Sequence, residues 1–333
     1  MRIASAAVVV GLGIGAIGCQ PPMAIGKVRA EPTDDFPLAW SGGTDASALA
    51  GTTVSGAKNA GADKTVKSAV PEELVPRSGA VARRDAIAVV VGVERYRIDM
   101  PEATGAERDA KLFAAYAEKT LGLRRSNVRL LIGTDATRSS IDAVLDEWLA
   151  KNASADGELF FFFAGHGAPE PESSRGYLVP WDADPKYIKS QGIAFDDLVA
   201  RLAKVGAKQT FAFVDACFSG AGGRSVLAEG TRPLVRIKGI ESSVGGVTLL
   251  TAAGPDETTG AAGSGHGLFT HHLLAGLNGK ADADADGAIT MAEVASYATA
   301  KVKDDAARDN REQEPRLLGG GGDVVLTRLP PQR

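Results

Sequence analysis

Cysteine is nearly absent from this chain of 333 residues, with Cys19 and Cys217 as the whole inventory. That excludes a disulfide framework and a thiolate zinc site. Histidine is almost as sparse, and His166, His266, His271 and His272 fall into no zinc-binding spacing. A metal would therefore have to be held by oxygen. An excess of either charge is also missing. The formal net charge is -4 and no basic cluster stands out, which argues against a nucleic-acid partner. Trp148 and Trp181 read as core or cleft-wall residues, not as a base-stacking platform. Nor is there an apolar run of the roughly 20 residues a membrane-spanning helix needs.

The N-terminus is the exception to this even composition. "MRIASAAVVVGLGIGAIGC" has one basic residue and then no charge from Ile3 to Gly18, the form of an export signal with a short apolar centre. Its ending "AIGC" resembles a bacterial lipobox, which implies lipidation at Cys19 and a membrane-anchored protein facing the periplasm or the cell exterior. Ala16 stands where leucine is more usual, so plain cleavage or an uncleaved anchor stays open, as does a cytoplasmic chain. Residues 20–83 are rich in Gly, Ala, Ser, Thr and Lys without apolar period. Such a segment buries too little surface to offset its ordering entropy and is expected to be a flexible tether.

From about residue 84 strands and helices alternate. "AIAVVVGV" (86–93), "NVRLLIG" (127–133), "ELFFFFAGHG" (158–167), "QTFAFVDAC" (209–217) and "GVTLLTAAG" (246–254) read as strands, with "DVVLTR" (323–328) as the last. "GYLVPWDAD" (176–184) suggests a short hairpin. Between the strands lie segments of helical period, among them 105–123, 137–153, 195–206, 266–277 and 291–308. This order implies an α/β fold: a mostly parallel six-stranded sheet with helices on both faces. Ligands of such sheets bind beyond the carboxyl ends of the strands. His166 follows the third strand and Cys217 ends the fourth, so one sheet edge should carry both.

A thiol attacks a carbonyl as thiolate, and a neighbouring imidazole can take its proton. His166 precedes Cys217 by about fifty residues, a spacing known from caspases. The small residues of "AGHGA" and "DACFSGAG" leave backbone N–H groups accessible, and the amides of Gly167 and Cys217 are candidates for an oxyanion hole. Together with "GVERY", "ERDAKLFA", "TAAGPDETT", "GHGLFTHHLLAGL" and "QEPRLLG", these motifs resemble the caspase-like cysteine peptidases, specifically bacterial relatives of metacaspases (orthocaspases). The resemblance covers roughly residues 84–328. It implies a caspase-type fold, with Cys217 as nucleophile and His166 as general base and acid. It also implies that Asp109 and Asp215 line the pocket for the residue before the cut. Two carboxylates there suit the cation of an Arg or Lys side chain and repel aspartate, so protein or peptide substrates cut after Arg or Lys are expected.

The loop at 220–246 is glycine-rich and basic, and Arg224, Arg232, Arg236 and Lys238 would suit self-cleavage by such an enzyme; a solvated loop is the plainer reading. "DADADGAITMAE" is a separate motif. Asp282, Asp284, Asp286, Gly287, Ala288 (through its carbonyl) and Glu293 match a calcium-binding EF-hand loop. Calcium would brace the last helices or switch activity, and the chemistry itself requires no cofactor. His266, His271 and His272 read as packing or surface residues. Two rivals to a peptidase remain: a catalytically silent caspase-fold scaffold tethered to a membrane, and a hydrolase or transferase working through a thioester.

Overall fold

Branched and aromatic side chains pack well on a pleated surface, and strands built only from them need cover on both faces. β1 (Ile87–Gly92) and β8 (Val247–Thr251) are buried at every position; β3 (Glu158–Ala164) and β7 (Gln209–Asp215) are buried at all but the first. With β2 (Val128–Ile132) and β10 (Arg316–Leu318) they form one six-stranded sheet, in the order β10-β8-β7-β3-β1-β2. All neighbours are parallel except β10, which runs antiparallel to β8. The computed structural model describes residues 70–78, 80–170, 172–173, 175–218, 245–253, 259 and 261–329. The export signal with Cys19, the tether up to residue 69 and the four basic residues of the 220–246 loop lie outside the described residues.

Strand alternation sorts the side chains into two cores. Ala88, Val90, Phe160, Phe162, Phe211 and Phe213 face α1 (Ala106–Lys119), α6 (Leu268–Ala275) and α7 (Met291–Arg308). Val89, Val91, Phe161, Phe163, Ala212 and Val214 face α5 (Phe195–Lys204) and the helical run α2 (Arg138–Ala143) to α3 (Leu149–Asn152), joined by a π turn at Val144–Trp148. Phe113 of α1 stacks on Phe162 with ring centroids 4.4 Å apart, and Phe160 stacks on Phe211 at 5.3 Å. Each such ring contributes about 1.5–3 kcal/mol by burial. Thr137 caps the α2 run by accepting from Ser140 N, as its place before the helical period predicts. No helix among the described residues is long and apolar enough to cross a membrane.

Two expectations are corrected. The segment 323–328 is not the sixth strand of the main sheet. β11 (Val325–Arg328) pairs antiparallel with β9 (Ala288–Thr290), and the sixth place belongs to β10, a strand of three residues at the sheet edge. Residues 70–83, counted above with the expected tether, include ones that make packed contacts with the domain. Leu74 is fully buried in the core beside α1 and α6. Asn278 Nδ2 donates to the carbonyls of Glu73 and Val75, 3.0 Å each, and Arg83 binds Glu158 at 2.6 Å and the carbonyl of Leu326 at 2.5 Å. One buried leucine and a few backbone bonds fix this stretch without any periodic pattern.

The segment 176–184 does not form the expected hairpin: only its start is a strand, β5 (Arg175–Leu178), whose partners lie outside the segment. This strand lies between β4 (Gly167–Glu170) and β6 (Ile193–Ala194) in a small antiparallel sheet, with α4 (Ile188–Gln191) packed beside it.

Residues 70–78 also meet α6 at Glu73, which faces the first of two neighbouring histidines. His271 Nε2 lies 3.1 Å from Glu73 Oε1, and His272 Nε2 lies 2.8 Å from Asp305 Oδ2. Burial holds both imidazoles below the ordinary histidine value; the neighbouring His272 lowers His271 further, and the hydrogen bond to Asp305 opposes the effect at His272. The unfolded chain therefore takes up protons first on acidification. The stability these histidines lend in neutral form is complete above about pH 6.5 and is lost as pH falls through their folded values. The melting temperature should decline between pH 7 and pH 5.5, and a His271→Asn/His272→Asn variant should decline less steeply. Parallel slopes by circular dichroism would refute the assignment.

Candidate active site

β3 and β7 are the two central strands, paired in register so that Ala164 stands beside Asp215. His166 lies two residues beyond Ala164, and Cys217 two residues beyond Asp215. Equal offsets past hydrogen-bonded neighbours bring the two turns together. Gly165 N donates to Asp215 O at 3.2 Å. At Gly167 a Cβ would sit 2.6 Å from the carbonyl oxygen of Cys217 and 2.9 Å from a ring carbon of Phe218, so only glycine fits between the turns. Gly167→Ala should force them apart, at the about 1–3 kcal/mol typical of overpacking, and cost more in activity than in melting temperature. Undiminished activity would mean that this contact does not set the site.

His166 is fixed from three sides. Its Nε2 lies 2.7 Å from the carbonyl oxygen of Pro101, an atom that only accepts, so Nε2 carries the proton. In the neutral ring that leaves Nδ1 as the acceptor. The His166 backbone N–H donates to the Tyr96 hydroxyl at 2.7 Å, which itself donates to Val93 O at 3.2 Å. The Tyr96 and His166 rings stack with centroids 5.1 Å apart. Neither Tyr96 nor Pro101 was singled out from the sequence. Tyr96 lies within "GVERY", whereas a backbone carbonyl such as that of Pro101 leaves no sequence signal. Cys217 and His166 are both 0 % exposed.

The two acidic residues lie on the α1/α6 side of the sheet. Asp215 ends β7 two residues after Phe213, hence on the same face, and its Oδ2 accepts from Thr270 Oγ1 at 2.6 Å. Asp109 occupies the first turn of α1 and is fully buried. Its Oδ1 accepts from His266 Nδ1 at 2.7 Å and its Oδ2 from Gly267 N at 2.9 Å. Gly105, the N-cap of α1, has φ +83° and abuts the carbonyl of Gly265, where a Cβ would stand 2.3 Å away. The turn before α6 is thus pressed against the start of α1. Trp181 and Trp148 lie against the second core, on the α5 side.

The acidic loop lies apart from this cluster, between α6 and α7. Carboxylate oxygens of Asp282, Asp284 and Glu293 come within 4.8 Å of one another. Gly287 turns the loop at φ +77°. Asp286 is not in that trio; its Oδ1 accepts from Ala288 N at 2.6 Å. Glu293 closes the loop and caps α7, its Oε2 accepting from Thr290 N at 2.8 Å. Three converging carboxylates repel unless a cation lies among them. Asp282 Oδ1 is buried and has no hydrogen-bond partner among the described residues, an oxygen set that fits a hard cation such as calcium.

The comparison with protein families agrees with this architecture. The caspase domain profile matches residues 85–319. Among solved structures, a protein from Geobacter sulfurreducens is similar at 15 % identity and a TM-score of 0.49, over 74 % of this chain and 98 % of its own. Caspase-1 from Spodoptera frugiperda is similar at 15 % identity and a TM-score of 0.47, over 77 % and 94 %. No curated protein sequence matches the chain. The fold is the caspase fold, and proteins carrying this domain are mostly cysteine peptidases. The chain belongs to the caspase domain family.

Proposed function

We propose that the chain is a metacaspase-like cysteine endopeptidase that cuts proteins or peptides after Arg or Lys. The observation that carries this reading is the register of β3 and β7, with His166 held by the Pro101 carbonyl beside the turn of Cys217. His166 Nδ1 takes the thiol proton, and the Cys217 thiolate bonds to the substrate carbonyl carbon. The oxygen becomes an oxyanion, for which the amides of Gly167 and Cys217 are the assigned donors. His166 returns the proton to the departing amine as the C–N bond breaks, leaving a thioester. It then draws a proton from the water that hydrolyses that thioester.

Asp109 and Asp215 supply the negative charge for the substrate cation. Cys217 and His166 are closed to solvent, so substrate entry requires part of the covering chain to move; cleavage within the basic 220–246 loop is the activating event assigned here. Calcium, held by Asp282, Asp284, Asp286, the Ala288 carbonyl and Glu293, would neutralise the loop between α6 and α7. Export with a lipid on Cys19 would place the enzyme at a membrane surface.

Fluorogenic peptides ending in Arg, Lys or Asp test the reading, using wild-type protein with calcium and with chelator, before and after nicking of the basic loop. Cleavage after Arg or Lys is expected, and cleavage confined to Asp would overturn the pocket. The complete burial of both dyad residues also favours a second reading, a silent scaffold. That reading predicts no turnover and no alkylation of Cys217 by an arginyl chloromethylketone, even after nicking.

A further inference from the structure

The first turn of α6 holds both acidic residues assigned to the substrate pocket. Thr270 Oγ1 bonds Asp215, Gly267 N bonds Asp109, and His266 Nδ1 bonds the second oxygen of Asp109 at 2.7 Å. His266 and Asp109 are each no more than 1 % exposed. A buried carboxylate is costly unless its oxygens are bonded. Gly267 N–H at the start of α6 supplies one donor, aided by the helix dipole. The other must come from a side chain, and it comes from His266, the residue just before the N-cap. The Arg108 guanidinium holds the same turn from α1, donating to Gly265 O at 3.2 Å.

The geometry points to His266 as a positioning residue for substrate recognition: by fixing both the place and the orientation of the Asp109 carboxylate, it sets the affinity for the cationic side chain before the cut. The inference rests on the Arg/Lys reading of the pocket. His266 acts through Asp109, not on the reacting atoms. A purely structural staple would lower stability and scale turnover by the folded fraction. A positioning residue raises KM for Arg and Lys substrates and leaves kcat nearly unchanged, because the chemistry at Cys217 is untouched.

A hydrogen bond to a charged group contributes about 1.5–3 kcal/mol, so His266→Ala should raise KM for Arg and Lys peptides roughly 10- to 100-fold. His266→Asn, which retains a donor N–H, should recover most of that loss. Asp109→Asn should raise KM similarly, and the His266→Ala/Asp109→Asn double variant should be no worse than either single one. The measurement is steady-state cleavage of Arg and Lys peptides by the full chain with calcium, with a melting curve for each variant. Unchanged KM in a folded His266→Ala, additive losses in the double variant, or a fall in kcat alone would each overturn the role of His266 while leaving the enzyme's specificity intact. If His266→Ala does not fold, His266→Gln, whose donor is displaced by the longer side chain, takes its place under the same criteria. A wild type that cleaves, but not after Arg or Lys, would overturn the pocket reading and this inference together.

Discussion

Replacing Cys217 by alanine should lower peptide cleavage roughly 10⁴- to 10⁶-fold, the scale seen when a nucleophile is removed from a hydrolytic dyad or triad. The substitution removes one sulfur atom from a buried position, so the fold should persist and the loss should fall on kcat. His166→Ala should cost nearly as much. The double variant should cost little more than either alone, since thiolate formation needs both partners. His166→Ala also empties the place between the Tyr96 ring and the Pro101 carbonyl, so its melting temperature should fall further than that of Cys217→Ala. Rates within tenfold of wild type in Cys217→Ala, with the fold confirmed, would dismiss the thiol mechanism outright.

Calcium should raise the melting temperature by about 5–10 °C. A ligand at a hundredfold excess over its dissociation constant stabilises by about 2.7 kcal/mol, and for a domain of this size each kcal/mol moves the midpoint by about 2–4 °C. The loop carries Asp282, Asp284 and Glu293 within 4.8 Å, so without a cation their mutual repulsion acts on the link between α6 and α7. Glu293→Gln keeps a side chain able to cap α7 at Thr290 but removes the charge, and should abolish most of the shift. The measurement is a thermal melt with 1 mM calcium against chelator, for wild type and variant. Equal midpoints in the wild type would remove calcium from the protein's description.

Much of the central sheet was legible because its strands are long and apolar: "AIAVVVGV", "ELFFFFAGHG" and "QTFAFVDAC" have no other stable place than a doubly covered sheet. The same reasoning failed at the edge. "DVVLTR" has the stronger β pattern, yet three residues of "RLL" take the sixth position, because an edge strand that short needs only an antiparallel neighbour. The packing around Leu74 was missed since "VPEELVP" is a short stretch between prolines with no apolar period. At the site, the positions of His166 and Cys217 along their strands could be read from spacing. The Asp109–His266 bond could not, because its partners are 157 residues apart and nothing local to either one announces the other.

The matched offsets of His166 and Cys217 past β3 and β7 have a consequence for how such a chain can change. The spacing of base and nucleophile is set by two adjacent strands about 4.8 Å apart, not by the excursion that joins them. That excursion, from Ala168 through β4, β5, β6 and α5 to Lys208, meets the turn of His166 at Val179, whose N–H donates to His166 O at 3.0 Å, so it is its exposed turns that are free of the chemistry it connects. Provided that Gly167 still seats against the Cys217 turn, residues can be inserted into or deleted from its exposed turns, near Glu172 or Lys186, without altering the reach of imidazole to sulfur. Evolution and protein engineering alike gain there a region for acquiring new recognition surfaces at no cost to the reaction centre.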